Sequence, residues 1–189
     1  RESMIFGMKN DNFSSGMVKY VGHEIRAVIM NKLEMDVRDT VLLANAESIA
    51  VEASMVAYEG VVIAAERDAG SLRTMEENAS KFGTHNIEII PEITVEALEK
   101  LPTPRLAFIV VQESTIENDI VTLLKVNPKI KFIIYTLELD ILADIKYLMK
   151  KHGVDVTEVM QIAVSKVDKN GVFVAQPAPW MITCEVKEK

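Results

Sequence analysis

Five short and largely apolar runs, each followed by a segment with helical spacing, limit this chain more than any other feature: TVLLAN, VVIAA, NIEII, RLAFIVV and KFIIYT. Apolar side chains at consecutive positions bury both faces of a strand. Strands that alternate with helices over short connections form a parallel sheet covered on both sides. The helices are expected at AESIAVEASMVA, AGSLRTMEENASKF, TVEALEKL, STIENDIVTLLKV and LELDILADIKYLMKKH. An earlier one lies in GHEIRAVIMNKLEM, where Ile25, Val28, Ile29 and Leu33 recur at helical spacing. The class is α/β. Further on, VDVTEVMQIAVSKV and GVFVAQPAPWMITCEV are extended stretches joined by DKNG, in which Asn170 and Gly171 signal a hairpin. Pro177 and Pro179 suit an edge or a bulge, so the chain is expected to finish as antiparallel edge structure.

The 189 residues suit one domain. Residues 1–22, punctuated by Gly7, Gly16 and Gly22, read as a leader, and 23–189 as the body. There are 28 acidic and 21 basic side chains, a net charge of -7, with no basic block. That balance disfavours a nucleic-acid backbone or an anionic membrane as partner. No segment is apolar for the length a membrane-spanning helix needs, and none reads as an export signal. Cys184 is the single cysteine, which rules out an internal disulfide and leaves a cytoplasmic location as the expectation. His23, His85 and His152 have no metal-ligand spacing, and no metal is expected. The chain begins Arg-Glu-Ser, with its first methionine at Met4, which is compatible with a domain excised from a longer protein.

In doubly wound sheets a ligand lies beyond the strand C-termini where the strand order reverses. Here that means Asn45, Ala46, Glu47 and Ser48 on one side and Glu66, Arg67 and Asp68 on the other. Glu66 follows VVIAA directly and lies about twenty residues beyond the first turn, where a carboxylate can accept both hydroxyls of a ribose. Asp68 has the position of a helix cap.

Several segments in order, GMKNDNFSSGMVKYVGHEIRAVIMNKL, VVIAAERDAGSLRTMEENASKFGTHNIEII, VMQIAVSKV and PAPWMIT, resemble the cobalt-precorrin and precorrin methyltransferase family. The likeness is to the C15-methylating, decarboxylating domain that also forms the C-terminal half of precorrin-6Y C5,15-methyltransferases. It implies a class I S-adenosylmethionine-dependent methyltransferase fold, Rossmann-like, with a seven-stranded mostly parallel sheet and an antiparallel last strand. It also implies S-adenosylmethionine as cofactor, a tetrapyrrole substrate, a fused or separate C5-methyltransferase as partner, and a homo-oligomer, usually a tetramer. By the same likeness Glu66 corresponds to the ribose-binding acidic residue, with Arg67 and Asp68 following it.

The chain departs from the family where the cofactor would be held. LLANAES stands where the family has a glycine-rich turn, which by the resemblance puts Asn45, and Glu47 or Ala46, where glycines are usual. IIPEIT leaves Glu92 as the nearest acidic group for an adenine amino group, and QES, with Gln112, replaces a further glycine-rich loop. On the acceptor side, Lys19 and Arg26 are candidates to pair with substrate carboxylates and Tyr20 to stack on its conjugated surface. The alternative is that Arg26 packs the first helix while Lys19 and Tyr20 lie between subunits. Tyr135 and Thr136, at the end of the fifth strand, have the topological location for ligand contact. Trp180 reads as a core or subunit contact. Two functions stay open. One is C15-methylation and decarboxylation of a precorrin in cobalamin biosynthesis. The other is a non-catalytic methyltransferase-like scaffold that supports a C5-methyltransferase.

Overall fold

The computed structural model describes residues 22–112 and 114–186. Its elements follow the alternation read from the sequence: α1 (His23–Leu33), β1 (Thr40–Ala44), α2 (Glu47–Val56), β2 (Val61–Ala65), α3 (Ala69–Phe82), β3 (Ile87–Ile90), α4 (Val95–Leu98), β4 (Leu106–Val110), α5 (Ile116–Val126), β5 (Lys131–Thr136) and α6 (Leu139–Lys151). Four strands complete the described chain: β6 (Val154–Gln161), β7 (Ser165–Val167), β8 (Phe173–Ala175) and β9 (Trp180–Val186). The main sheet has seven strands in the order β3-β2-β1-β4-β5-β9-β6, and β7 pairs with β8 in a separate ribbon. The first five strands run parallel, and β9 is antiparallel to both of its neighbours.

The apolar runs of β1, β2, β4 and β5 are explained by burial on both faces, whereas β3, at one edge of the sheet, leaves Glu88 and Ile89 exposed. Val41 and Leu43 of β1, Phe108 of β4 and Ile133 of β5 pack under α1, α2 and α3. Leu42, Ala107, Phe132 and Ile134 face the other way, under α4, α5 and α6. Each fully buried Leu, Ile or Phe contributes roughly 1.5–3 kcal/mol. Helix α3 has the clearest local signals. The Asp68 carboxylate accepts from the Ser71 amide at 2.8 Å, and Gly83 ends the helix at φ 69°.

The edge expectation is corrected. β9 is not at the edge: it lies between β5 and β6, and β6 is the outer strand. Met181 of β9 enters one core while Ile182 and Cys184 enter the other, so β9 must be covered on both faces. Pro177 and Pro179 precede the strand instead of interrupting it, and no ladder bond is lost. β6 carries polar, exposed side chains and a register shift between Val156 and Glu158, which suits an edge. The predicted hairpin is real but short. Asp168 Oδ1 accepts from the Asn170 and Val172 amides at the turn between β7 and β8. The expected leader, residues 1–22, lies outside the described residues, apart from Gly22. Among the described residues no helix is long and apolar enough to cross a membrane.

At the N-terminal ends of the strands, the residue before each of β1, β2, β3 and β4 closes the sheet. Arg105 donates to both carboxylate oxygens of Asp39, at 2.8 and 2.9 Å, and to the Leu33 and Glu34 carbonyls. Asn86 donates to the carbonyls of Ser54, Ala57 and Gly60.

Candidate functional site

The strand order reverses between β1 and β4, and a cleft of about 450 Å³ opens there at the C-terminal ends of the parallel strands. It is bordered by Ala44, Asn45, Ala65 and Glu66, by residues 91–94 after β3, and by Thr115, Asn118 and Asp119 on the first turns of α5. The volume lies within the ordinary range for a small-molecule site.

Asn45 resolves the missing glycine. It sits in the left-handed region at φ 57°, which Asn tolerates better than other side chains. Its amide donates to the Ala65 carbonyl at 3.0 Å, and its side-chain nitrogen donates to the Val110 carbonyl at 3.1 Å. The turn after β1 is therefore tied to the ends of β2 and β4. Its side chain still occupies space that a glycine would leave open.

Glu66 follows β2 and is 6% exposed. Its Oε1 accepts from the Arg67 and Asp68 amides at 2.9 Å each. Its Oε2 is buried and has no hydrogen-bond partner among the described residues. Glu47 opens α2 beside the cleft instead of lining it, and its Oε2 is also buried and unpartnered. Burial, then the negative charges of Glu66 and Asp68, push the Glu47 carboxyl up to about 7. Asp68 is occupied as the cap of α3, and the Ser71 amide and hydroxyl hold its carboxyl below the usual range.

Arg67 and Glu92 both line the cleft and form an ion pair with each other across it, with both side chains mostly exposed. Gln112 lines the cleft too, and its carbonyl accepts from the Thr115 and Ile116 amides as α5 begins. Of the cofactor candidates, Asn45, Glu66, Arg67, Glu92 and Gln112 are brought together, with Glu47 adjacent. Asn118 and Asp119 were not anticipated. The available signal was the polar start of STIENDIV directly beyond the fourth strand. Burial raises the Asp119 carboxyl, partly offset by a hydrogen bond with Thr115 and the charge of Arg67.

The described acceptor-side candidates, Arg26, Tyr135 and Thr136, do not line this cleft. Arg26 is 1% exposed, and its Nε donates to Glu52 at 2.8 Å, joining α1 to α2. That buried pair fits the packing reading of Arg26, one of the two held open above. Tyr135 is buried, with its ring 6.1 Å from that of Phe108, and burial raises its hydroxyl. Thr136 is buried as well, and its hydroxyl accepts from the Glu138 amide. Lys19 and Tyr20 lie outside the described residues. No group of acidic, histidine or cysteine side chains suited to a metal ion occurs among the described residues.

The family described as "Precorrin methyltransferase domain" matches residues 16–186. In structure the chain is similar to precorrin-6y C5,15-methyltransferase from Geobacter metallireducens GS-15, with a TM-score of 0.86 at 24% identity, covering 96% of this chain and 97% of that one. It is also similar to the C-terminal domain of precorrin-6Y C5,15-methyltransferase from Rhodobacter capsulatus, with a TM-score of 0.78 at 16% identity over 97% and 99% of the two chains. A third similar structure is precorrin 8W decarboxylase from Methanobacterium thermoautotrophicum, with a TM-score of 0.74 at 19% identity over 95% and 96%. At these identities the structural likenesses establish the fold. None of the curated protein sequences matches the chain.

Proposed function

The chain belongs to the precorrin methyltransferase domain family, and from that premise we propose that it methylates a precorrin at C15 and decarboxylates an acetate side chain of the ring, with S-adenosylmethionine as methyl donor. When bound, the donor supplies an electrophilic methyl group on a sulfonium, so the protein's work is positioning. The observation that carries the reading is Glu66: an acceptor oxygen buried without a partner, on a residue lining the cleft at the end of β2. Such an atom fits a ribose hydroxyl donor. Asn45 shapes the turn beside it; Glu92 and Gln112, both lining the cleft, are assigned to the cofactor, with Arg67 paired to Glu92. On the acceptor side, Lys19 and Tyr20 are assigned to the carboxylates and conjugated face of the tetrapyrrole, by family resemblance. Tyr135 and Thr136 support the end of β5 from the buried side. The reading includes a cytoplasmic setting, self-association as a tetramer and a fused or separate C5-methyltransferase as partner.

A second reading, a non-catalytic scaffold for that partner, is favoured by one feature. Asn45 and Glu47 put side chains and negative charge where the family has glycine. Calorimetric titration with S-adenosylmethionine and S-adenosylhomocysteine separates the two. The enzyme reading expects saturable binding that weakens about tenfold in Glu66→Ala, the loss of a hydrogen bond to a charged group. Absence of heat at millimolar ligand, with the protein folded, would leave the scaffold.

A further inference from the structure

Helix α6 turns Ile141, Ile145 and Met149 into the core. Its opposite face carries Leu139, Ala143 and Tyr147, which follow at i, i+4 and i+8 and so align along the helix. All three are exposed, Leu139 at 69% and Tyr147 at 75%. Single apolar side chains on a surface are ordinary, but a row of them along one helix marks a contact surface. Beside Tyr147, between α5 and α6, lies a recess of about 250 Å³ walled by Ile116, Ile141, Ile145 and Leu148. The row is bracketed by charge. Asp140 and Asp144 lie in the first half of the helix, and Lys146, Lys150 and Lys151 in the second, all exposed. The helix dipole favours the charges of the end turns, but it does not account for Asp144 and Lys146 in the middle, or for the exposed Leu139 and Tyr147.

We infer that α6 docks antiparallel on α6 of a second copy of this chain, about a twofold axis that passes near Ile145, which gives the self-association proposed above a specific surface. Reversing one helix against the other brings together residues at equal spacing on either side of Ile145. Ala143 then faces Tyr147 in both directions, so each ring lies over the small side chain of the other copy and beside its recess. Asp140 comes opposite Lys150, whose apolar stem covers Leu139. Lys151 is engaged by Glu117 of its own copy. A parallel pair would set Asp140 against Asp140 and Lys150 against Lys150, so the charge pattern fixes the direction.

The test is analytical ultracentrifugation of the whole chain over a dilution series, followed by native mass spectrometry. Asp140→Lys with Asp144→Lys makes the face basic, and Lys146→Glu with Lys150→Glu makes it predominantly acidic; circular dichroism checks that each double variant folds. Each alone is expected to associate at least about tenfold more weakly than the unaltered chain, because like charges meet. Mixed in equal amounts, the two should recover the lost affinity as a one-to-one hetero-pair. Tyr147→Ser should weaken association with no change in charge. A monomeric unaltered chain, association that both double variants retain in full, or a mixture that gains nothing over its components would overturn the α6 pairing. Each of these results leaves the methyl-transfer reading standing, which calorimetry with S-adenosylmethionine tests separately.

Discussion

The two ends of the parallel strands are built from the same positions, the residues just before and just after each strand, yet they are finished differently. At the N-terminal end, Asp39, Gly60, Asn86 and Arg105 are absorbed into the fold. Asp39 and Arg105 form a two-pronged pair, Asn86 serves three carbonyls, and a Cβ on Gly60 would lie 2.0 Å from the Asp39 carbonyl oxygen. Burial acts to raise the Asp39 carboxyl, but Arg105 and the Asp36 amide outweigh it and hold the group below its ordinary value. At the C-terminal end, Glu47 and Glu66 keep acceptor oxygens that nothing among the described residues satisfies. Asp39, Asn86 and Arg105 turn their polar groups to closure, whereas Glu47 and Glu66 each leave one carboxylate oxygen unsatisfied.

Substitutions at the two ends should therefore differ in sign as well as size. The largest effect is expected from Gly60→Ala, which forces backbone apart where β1 and β2 begin. Thermal or chemical denaturation should show a loss of roughly 3 kcal/mol, and a loss below about 1 kcal/mol would mean the close approach relaxes freely. Glu47→Gln should instead stabilise the unliganded protein at pH 8. A carboxyl raised from 4.5 to about 7 on folding contributes stability that is full below 4.5 and is lost as pH rises through 7. The amide escapes that loss. With solvent screening of a half-buried group, the gain is about 1–2 kcal/mol at pH 8, shrinking to nothing near pH 4.5. A gain that did not shrink on acidification would have another cause. The smallest effect belongs to Arg67→Ala. Its pair with Glu92 is exposed, so the loss should stay under about 1 kcal/mol and fade in high salt.

The central sheet was legible because its information is local. TVLLAN, VVIAA and KFIIYT are short runs apolar at successive positions, which suits a strand covered on both faces, and each is followed by a segment with helical spacing. Likewise α3 was legible to the residue, because Asp68 and Gly83 mark its ends chemically. The placement of β9 was not. Two prolines beside WMITCEV suggested an edge, whereas its position depends on which cores receive Met181, Ile182 and Cys184, and that is decided only when the sheet assembles. The site divided in the same way. Glu66 was readable from its distance to the first turn. For Arg26 the sequence left a substrate contact and helix packing both open, because its partner, Glu52, is 26 residues away and meets it only when α1 packs on α2. Asn45 was read as a lost glycine, since a residue type does not state its backbone angle. The raised Glu47 carboxyl could not be read at all, because it follows from burial and from neighbours on another segment.

The insertion of β9 separates the order of synthesis from the order of assembly. β6 leaves the ribosome before β9, but its hydrogen-bonding neighbour in the sheet is β9. β6 must therefore wait, its inner edge open, while the hairpin of β7 and β8 is made and passes. A nascent chain stopped between the two would hold five parallel strands with an unpaired flank at β5, the kind of exposed template that invites association with other chains. Until β9 arrives, the flank of β5 that the finished sheet closes stays open to other strands.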